Sequence, residues 1–163
     1  MSENSCAFCS DEMRSSEFAG NADFAAVYNI APIVPGHSLV IPRRHIQRIE
    51  DLSEEEFSRY WIFAREVTKF LLDTFKTNAF DWTIQEQEAA GQTVPHLHLH
   101  IIPRVPGDFD DPGGWYPKLR HGAIVDHAHE VIDSKDRVRL TLSERERIAR
   151  ELATQWDLRS KRS

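Results

Sequence analysis

Residues 94–103 read Val94-Pro95-His96-Leu97-His98-Leu99-His100-Ile101-Ile102-Pro103. Strict alternation is the pattern of a half-buried strand, so His96, His98 and His100 are expected on one face, roughly 7 Å apart. Leu97, Leu99 and Ile101 then point into a core, and the prolines suit the strand ends, where no ladder hydrogen bond need be donated. Each imidazole can serve as nucleophile, proton carrier or metal ligand. Three at perfect spacing, out of eight histidines in the chain, are more than a solvated face would carry by chance. A second reactive group is Cys6-Ala7-Phe8-Cys9. In a reducing compartment two thiolates with this gap read as a metal or redox pair before a structural disulfide. A third is the loop that feeds the histidine strand, residues 88–93, ending Gly91-Gln92-Thr93. Gly91 permits a sharp turn with exposed N–H groups, and Gln92 and Thr93 add side-chain donors. Such a loop can hold phosphate oxygens without positive charge.

The elements that must position these groups follow from periodicity. Residues 23–29 and 37–42 read as strands joined through a turn that Pro32, Pro35 and Gly36 punctuate, a hairpin that ends at Pro42. Residues 79–87 alternate as a third strand, and residues 94–103 form a fourth. Ser53 and Glu56 make a capping box, and the acidic first turn suits the helix dipole. Phe57, Trp61, Ala64, Val67, Leu71 and Phe75 then predict an amphipathic helix to about Lys76. Ser143 and Glu146 predict a second capped helix, with Ile148, Leu152 and Trp156 on its buried side. Residues 1–22 read as loop or short helix. Arg43, Arg44 and His45 lie on a loop that is either solvated or a phosphate patch. The pattern loosens after Pro103, and His127 and His129 read as surface residues.

The class is therefore α+β: an antiparallel sheet of about five strands, one long packed helix and an outer C-terminal helix. At 163 residues one domain, 1–163, is expected, with a core over 1–116 and a helical extension over 117–163. The 20 Lys and Arg against 26 Asp and Glu give a net charge of −6. An acidic chain is a poor general binder of a nucleic acid backbone, though a local donor cluster can still hold a nucleotide. No apolar run approaches a membrane span. The N-terminus shows no basic segment followed by an apolar one, so a cytoplasmic location is expected.

The run from His96 to Ile102 resembles the complete signature of the histidine triad family, His-φ-His-φ-His-φ-φ with φ apolar. The resemblance includes residues 34–42, Ala90 to Val94, and Pro103 to Phe109, and runs from about Asp23 to Tyr116. It is nearest to the fragile histidine triad branch, the dinucleoside polyphosphate hydrolases. That branch implies His98 as nucleophile, cleaving at an α-phosphate through a nucleotidyl-histidine. It implies His100 as phosphate ligand and proton handler, and His37 beside the triad. Gln92 and Thr93, at the Gly91 turn, would hold phosphate oxygens, Gln85 the bridging side and Asn29 the ribose. This chain has Gln85-Glu86-Gln87 where the branch has Gln-Asp-Gly, so the glutamine is kept and the glycine is not. Bacterial members resemble the chain in a Cys-x-x-Cys near the start. They imply a structural zinc held by Cys6, Cys9, His45 and His96, with no organic cofactor. Pairing into homodimers through the long helix and a neighbouring strand is also implied. A nucleoside phosphoramidase and a non-catalytic zinc-stabilised nucleotide-binding module are the alternatives. A transferase fits less well, because transferase relatives replace the third histidine.

Overall fold

The computed structural model describes residues 6–109 and 139–161. The sequence features at Trp115, Tyr116, His127 and His129 lie outside them.

Five antiparallel strands form one sheet in the order β1-β2-β3-β5-β4, with β1 Glu17–Gly20, β2 Phe24–Tyr28, β3 Ser38–Pro42, β4 Ala79–Ile84 and β5 Leu99–Arg104. β2 and β3 make the expected hairpin, paired from Phe24 with Pro42 to Tyr28 with Ser38. Its turn depends on Gly36, which has φ +88° and whose Cβ, if it had one, would stand 2.7 Å from the Phe75 ring. Only glycine fits both constraints. The Gly36 N–H donates to the buried Tyr28 hydroxyl, which fixes the turn just before His37.

β5 is shorter than the sequence implies. Its ladder begins at Leu99, so of the three histidines only His100 lies within the regular strand. Alternation nevertheless continues upstream, because Leu97, Leu99 and Ile101 all enter the main core. Pro103 sits inside β5 instead of beyond it, opposite Phe80. The pairing with β3 stops at Ile101, so on that side the proline interrupts nothing. β4 likewise ends at Ile84, and residues 85–87 belong to the loop.

The strand missed by the sequence reading is β1, within the segment expected to be loop or short helix. Four residues with an irregular register against β2 between Glu17 and Ala19 are too few to show alternation. Before it come a 3-10 turn at Ala7–Cys9 and one helical turn, α1 (Asp11–Arg14), capped by Ser10.

The long helix, α2 (Glu54–Phe75), starts at Ser53 with both halves of the capping box formed. Its buried face is rotated from the expected stripe. Tyr60, Phe63, Ala64, Val67, Thr68, Phe70 and Leu71 are buried, whereas Phe57 is exposed and Trp61 half-buried. The reason is a second packing surface. The C-terminal helix, α3 (Leu142–Ser160), packs against β1 and β2 and sets Trp156 against Phe63 and Phe70. Ala149 and Leu152 are buried in the same core, so α3 belongs to the body of the fold rather than lying outside it. Its cap is Thr141 with Glu144, two residues before the Ser143–Glu146 pair. The chain enters the helix pinned, because the Leu140 N–H donates to the Ile30 carbonyl.

Candidate active site and metal centre

The tip of the β2–β3 hairpin, the 85–93 loop, the N-terminal segment and α3 enclose a cavity of about 490 Å3. His98 and His100 line it, as do Asn29, Gln85, Gly91 and Thr93. His37 stands behind His100, fully buried. Gln92, expected as a phosphate donor, is not on this wall. Its Oε1 accepts from the Gln87 N–H at 2.8 Å and its Nε2 donates to the His96 carbonyl at 3.3 Å. The Gln85 amide donates to the Ala90 carbonyl at 3.0 Å. Asn29 takes the Ala31 N–H on Oδ1, with its Nδ2 3.2 Å from His37 Nε2. Arg43 and Arg44 do not line this cavity and are paired with Glu17 and Glu56.

Backbone groups have fixed donor and acceptor roles, and they settle the protonation pattern of the imidazoles. The Ile33 N–H donates to His37 Nδ1 at 3.1 Å, so the proton of neutral His37 is on Nε2. That nitrogen is 2.9 Å from His100 Nδ1 and 3.2 Å from Asn29 Nδ2; with the proton on His37 Nε2 directed to His100 Nδ1, the His100 proton is assigned to Nε2. His98 donates from Nδ1 to the His96 carbonyl at 2.7 Å, which leaves a lone pair on Nε2. The reactive pair is thus one imidazole with a basic Nε2 and one with an Nε2–H, their rings 5.0 Å apart. Phe8 lies edge-on to His98, also at 5.0 Å.

His96 is placed differently. Its Nε2–H donates to the Pro42 carbonyl at 2.9 Å, so Nδ1 carries the lone pair. That Nδ1 is 3.5 Å from Cys6 Sγ and 3.6 Å from Cys9 Sγ, and His45 Nδ1 is 3.5 Å from Cys9 Sγ. All four donor atoms lie within 4.8 Å of one another. A tetrahedral ion with the usual Zn–S and Zn–N bond lengths separates its sulfur and nitrogen ligands by about 3.5 Å. These three sulfur–nitrogen separations match that spacing, and the four residues together could hold a metal ion. Burial pushes the His96 imidazole down to about 4, keeping it neutral, as a ligand must be. The Pro42 carbonyl plays the outer-shell part that orients a ligating ring. The sheet makes this possible: Pro42 ends β3, His45 follows three residues later, and His96 precedes β5 alongside.

A family model, that of the HIT domain, matches residues 10–107, more than half of the chain. The chain belongs to the histidine triad, or HIT, family. Among curated HIT relatives, a bis(5'-adenosyl)-triphosphatase from Dictyostelium discoideum is 41% identical over 102 residues, 63% of this chain and 68% of that one. An asymmetrical bis(5'-nucleosyl)-tetraphosphatase from Schizosaccharomyces pombe is 42% identical over 95 residues, 58% of this chain. The match spans about half, 52%, of the fission yeast protein. A zinc-bound histidine triad family protein from Mycobacterium smegmatis shares the fold, with a TM-score of 0.66 at 22% identity over 96% of this chain and 98% of that one.

Sequence reasoning missed part of the cavity. Phe8, Glu12 and Met13 come from the N-terminal segment, and Arg139 and Arg145 from the entry to α3 and its first turns. No motif marks them; a buried arginine on a helix that otherwise reads as amphipathic leaves no periodic signal.

The protonation pattern is directly measurable. Nitrogen-15 spectra of the histidine rings at neutral pH are expected to show His98 as the Nδ1–H tautomer and His37 and His100 as Nε2–H tautomers. An Nε2–H signal from His98 would break the chain of assignments.

Proposed function

We propose that this HIT protein hydrolyses dinucleoside polyphosphates at an α-phosphate, with His98 as the nucleophile. The observation that carries the reading is the opposed pair in the cavity: a lone pair on His98 Nε2 beside the Nε2–H of His100. The curated relatives' activities on adenosyl triphosphates and nucleosyl tetraphosphates support the substrate class.

In the first step His98 Nε2 attacks the α-phosphorus. A P–N bond forms and the bond to the bridging oxygen breaks. The leaving nucleotide departs as its anion, its new charge stabilised by a hydrogen bond from His100 Nε2–H. His37 holds His100 in that tautomer, so it acts as a positioning residue. The Thr93 hydroxyl, in the cavity wall, is the uncharged donor for a phosphoryl oxygen. Water then attacks the phosphorus, the P–N bond breaks, and a nucleoside monophosphate leaves. A phosphoramidase would use the same His98 step and differs only in the bond it cleaves. The purely structural reading fits less well, because the cysteine group takes only His96 of the triad, while His98 and His100 line the cavity.

The metal is read as zinc, from the donor set of two thiols and two imidazoles. Four protein ligands leave no open position, so its role is structural. Cys6 and Cys9 would tie the N-terminal segment to His45 and to the residue two before the nucleophile. A homodimer is proposed from an aromatic strip across α2 and the edge strand β4. Phe57, Trp61, Trp82 and Phe80 follow one another with ring centroids 5.9, 5.2 and 5.6 Å apart. Phe57 and Phe80 at its ends are each 42% exposed. An open strand edge beside exposed aromatics is a surface that a second copy would cover.

His98→Ala is expected to lower kcat on diadenosine triphosphate by orders of magnitude while the protein still binds nucleotide, as product chromatography and nucleotide titration would show. Near-normal turnover would remove His98 from the role. Protein purified without chelator or histidine tag is expected to hold about one zinc per chain, and Cys6→Ser/Cys9→Ser to lose both metal and thermal stability. Less than a tenth of an equivalent, with unchanged melting of the double variant, would count against the site. Light scattering at micromolar concentration is expected to give twice the 18.8 kDa chain mass; a monomeric mass would sink the dimer.

A further inference from the structure

One charged group in the cavity wall has no part in the chemistry above. Arg145, on the second turn of α3, is only 2% exposed. Its Nη2 donates to Glu12 Oε1 at 2.6 Å and its Nη1 to the buried Ser16 hydroxyl at 3.0 Å. Its Nε–H has no partner among the described residues. Burying a guanidinium with one donor unmet is poor design for stability alone, since an apolar side chain there would cost less. What the arrangement does accomplish is to fix a carboxylate. Glu12 is the opposite of Arg145 in exposure: its side chain is 60% exposed, and it lines the same cavity as His98 and His100. Only Oε1 is taken up by the arginine, so the second carboxylate oxygen remains to accept. Arg145 also lies beyond the region that the HIT-domain model matches.

We propose that Glu12, held by Arg145, is a specificity-determining acceptor for the nucleoside part of the bound nucleotide. It takes a hydrogen bond from a ribose hydroxyl or from an exocyclic amine of the base. This rests on the reading of the cavity as a nucleotide site. The chemistry selects the nucleoside over the phosphates. A carboxylate accepts and does not donate, and it repels a polyphosphate. Thr93 and the His100 ring are the phosphate-compatible donors of the cavity. Glu12 instead shares its segment with Phe8 and Met13, which with Ile30 and Leu39 give the cavity the apolar surface a base requires. Arg145 is a positioning residue that acts through Glu12.

Calorimetric titration with adenosine monophosphate tests this without relying on turnover. Glu12→Ala is expected to raise Kd about tenfold, the size of one charge-assisted hydrogen bond, and Glu12→Gln to raise it less. Asp11→Asn is the control. It removes the neighbouring charge on α1, and Asp11 does not line this cavity, so Kd should not move. The double variant Glu12→Ala/Arg145→Met, in a protein that melts normally, should bind no worse than Glu12→Ala, because Arg145 acts on the nucleotide through Glu12. The source of the donor follows from analogues. If the Glu12→Ala penalty vanishes with deoxyribose forms, the ribose is the partner; if it vanishes with inosine monophosphate, the base amine is. Wild-type affinity in a Glu12→Ala protein that melts normally would overturn the proposal. So would an equal penalty with inorganic pyrophosphate, which has neither ribose nor base. If the wild type binds the monophosphate in a Glu12-dependent way but turns over no dinucleotide, the hydrolase reading alone fails.

Discussion

The hydrogen bond from His98 Nδ1–H to the carbonyl oxygen of His96, 2.7 Å long, is the contact on which the site depends. It sets the tautomer of His98 from inside the same strand segment. It requires that the His96 carbonyl be held still. Leu97, between the two, is fully buried, and its N–H donates to the Ile46 carbonyl at 2.6 Å. The other lone pair of the His96 carbonyl takes Gln92 Nε2, and the ring of His96 is anchored at Pro42. Each fixture acts on His96, and His98 inherits the result. The regular ladder starts only at Leu99, which is why this carbonyl can serve a side chain. A site tuned by hydrogen bonds needs positions held to a fraction of an ångström, and a residue pinned at both ring and backbone supplies that.

This explains which features were legible from the sequence. The alternation in 96–102 conveyed both the apolar face and the order of the histidines, because burial of Leu97, Leu99 and Ile101 enforces it. Ser53 and Glu56 were legible because a capping box is local, and both halves form. At α3 two such patterns overlap, Thr141 with Glu144 and Ser143 with Glu146. Local chemistry does not choose between them; the bond from Leu140 to Ile30, a contact 110 residues away in sequence, does. The face of α2 was misread for the same kind of reason. Its buried side is decided by α3, whose arrival no property of residues 54–75 announces. β1 failed on length alone.

Gln87 shows how a local rule can be broken at a site. It has φ +68° and ψ 162°, a conformation nearly restricted to glycine. It stands where the dinucleoside polyphosphate branch has a glycine in the motif Gln-Asp-Gly. The loop keeps the glycine-like backbone although the residue has changed, at a cost of about 1–3 kcal/mol. What holds it is visible. The Gln87 N–H is received by Gln92 Oε1, and its carbonyl accepts from the N–H groups of Ala90 and Gln92. Gln92 ties the strained residue on one side and the His96 carbonyl on the other. The conformation of the 85–93 loop and the tautomer of His98 are therefore linked through a single amide side chain.

The two chain ends add a constraint of a different kind. The segment from Cys6 to Ser16 has little core of its own beyond Met13, and the strand it leads into is four residues long. Such a segment would fray unless tied down. It is tied twice, by unrelated means: at Cys6 and Cys9 to His45 and His96, and at Glu12 and Ser16 to Arg145 of α3. Between the two ties lie Phe8, Glu12 and Met13, the residues that close one wall of the cavity. The arrangement of the histidines draws on the β2–β3 hairpin, β5 and the segment leading into it. The wall needs the N-terminal segment and α3 together, so on the proposal above discrimination between nucleotides would rest on parts of the sequence that carry no triad motif.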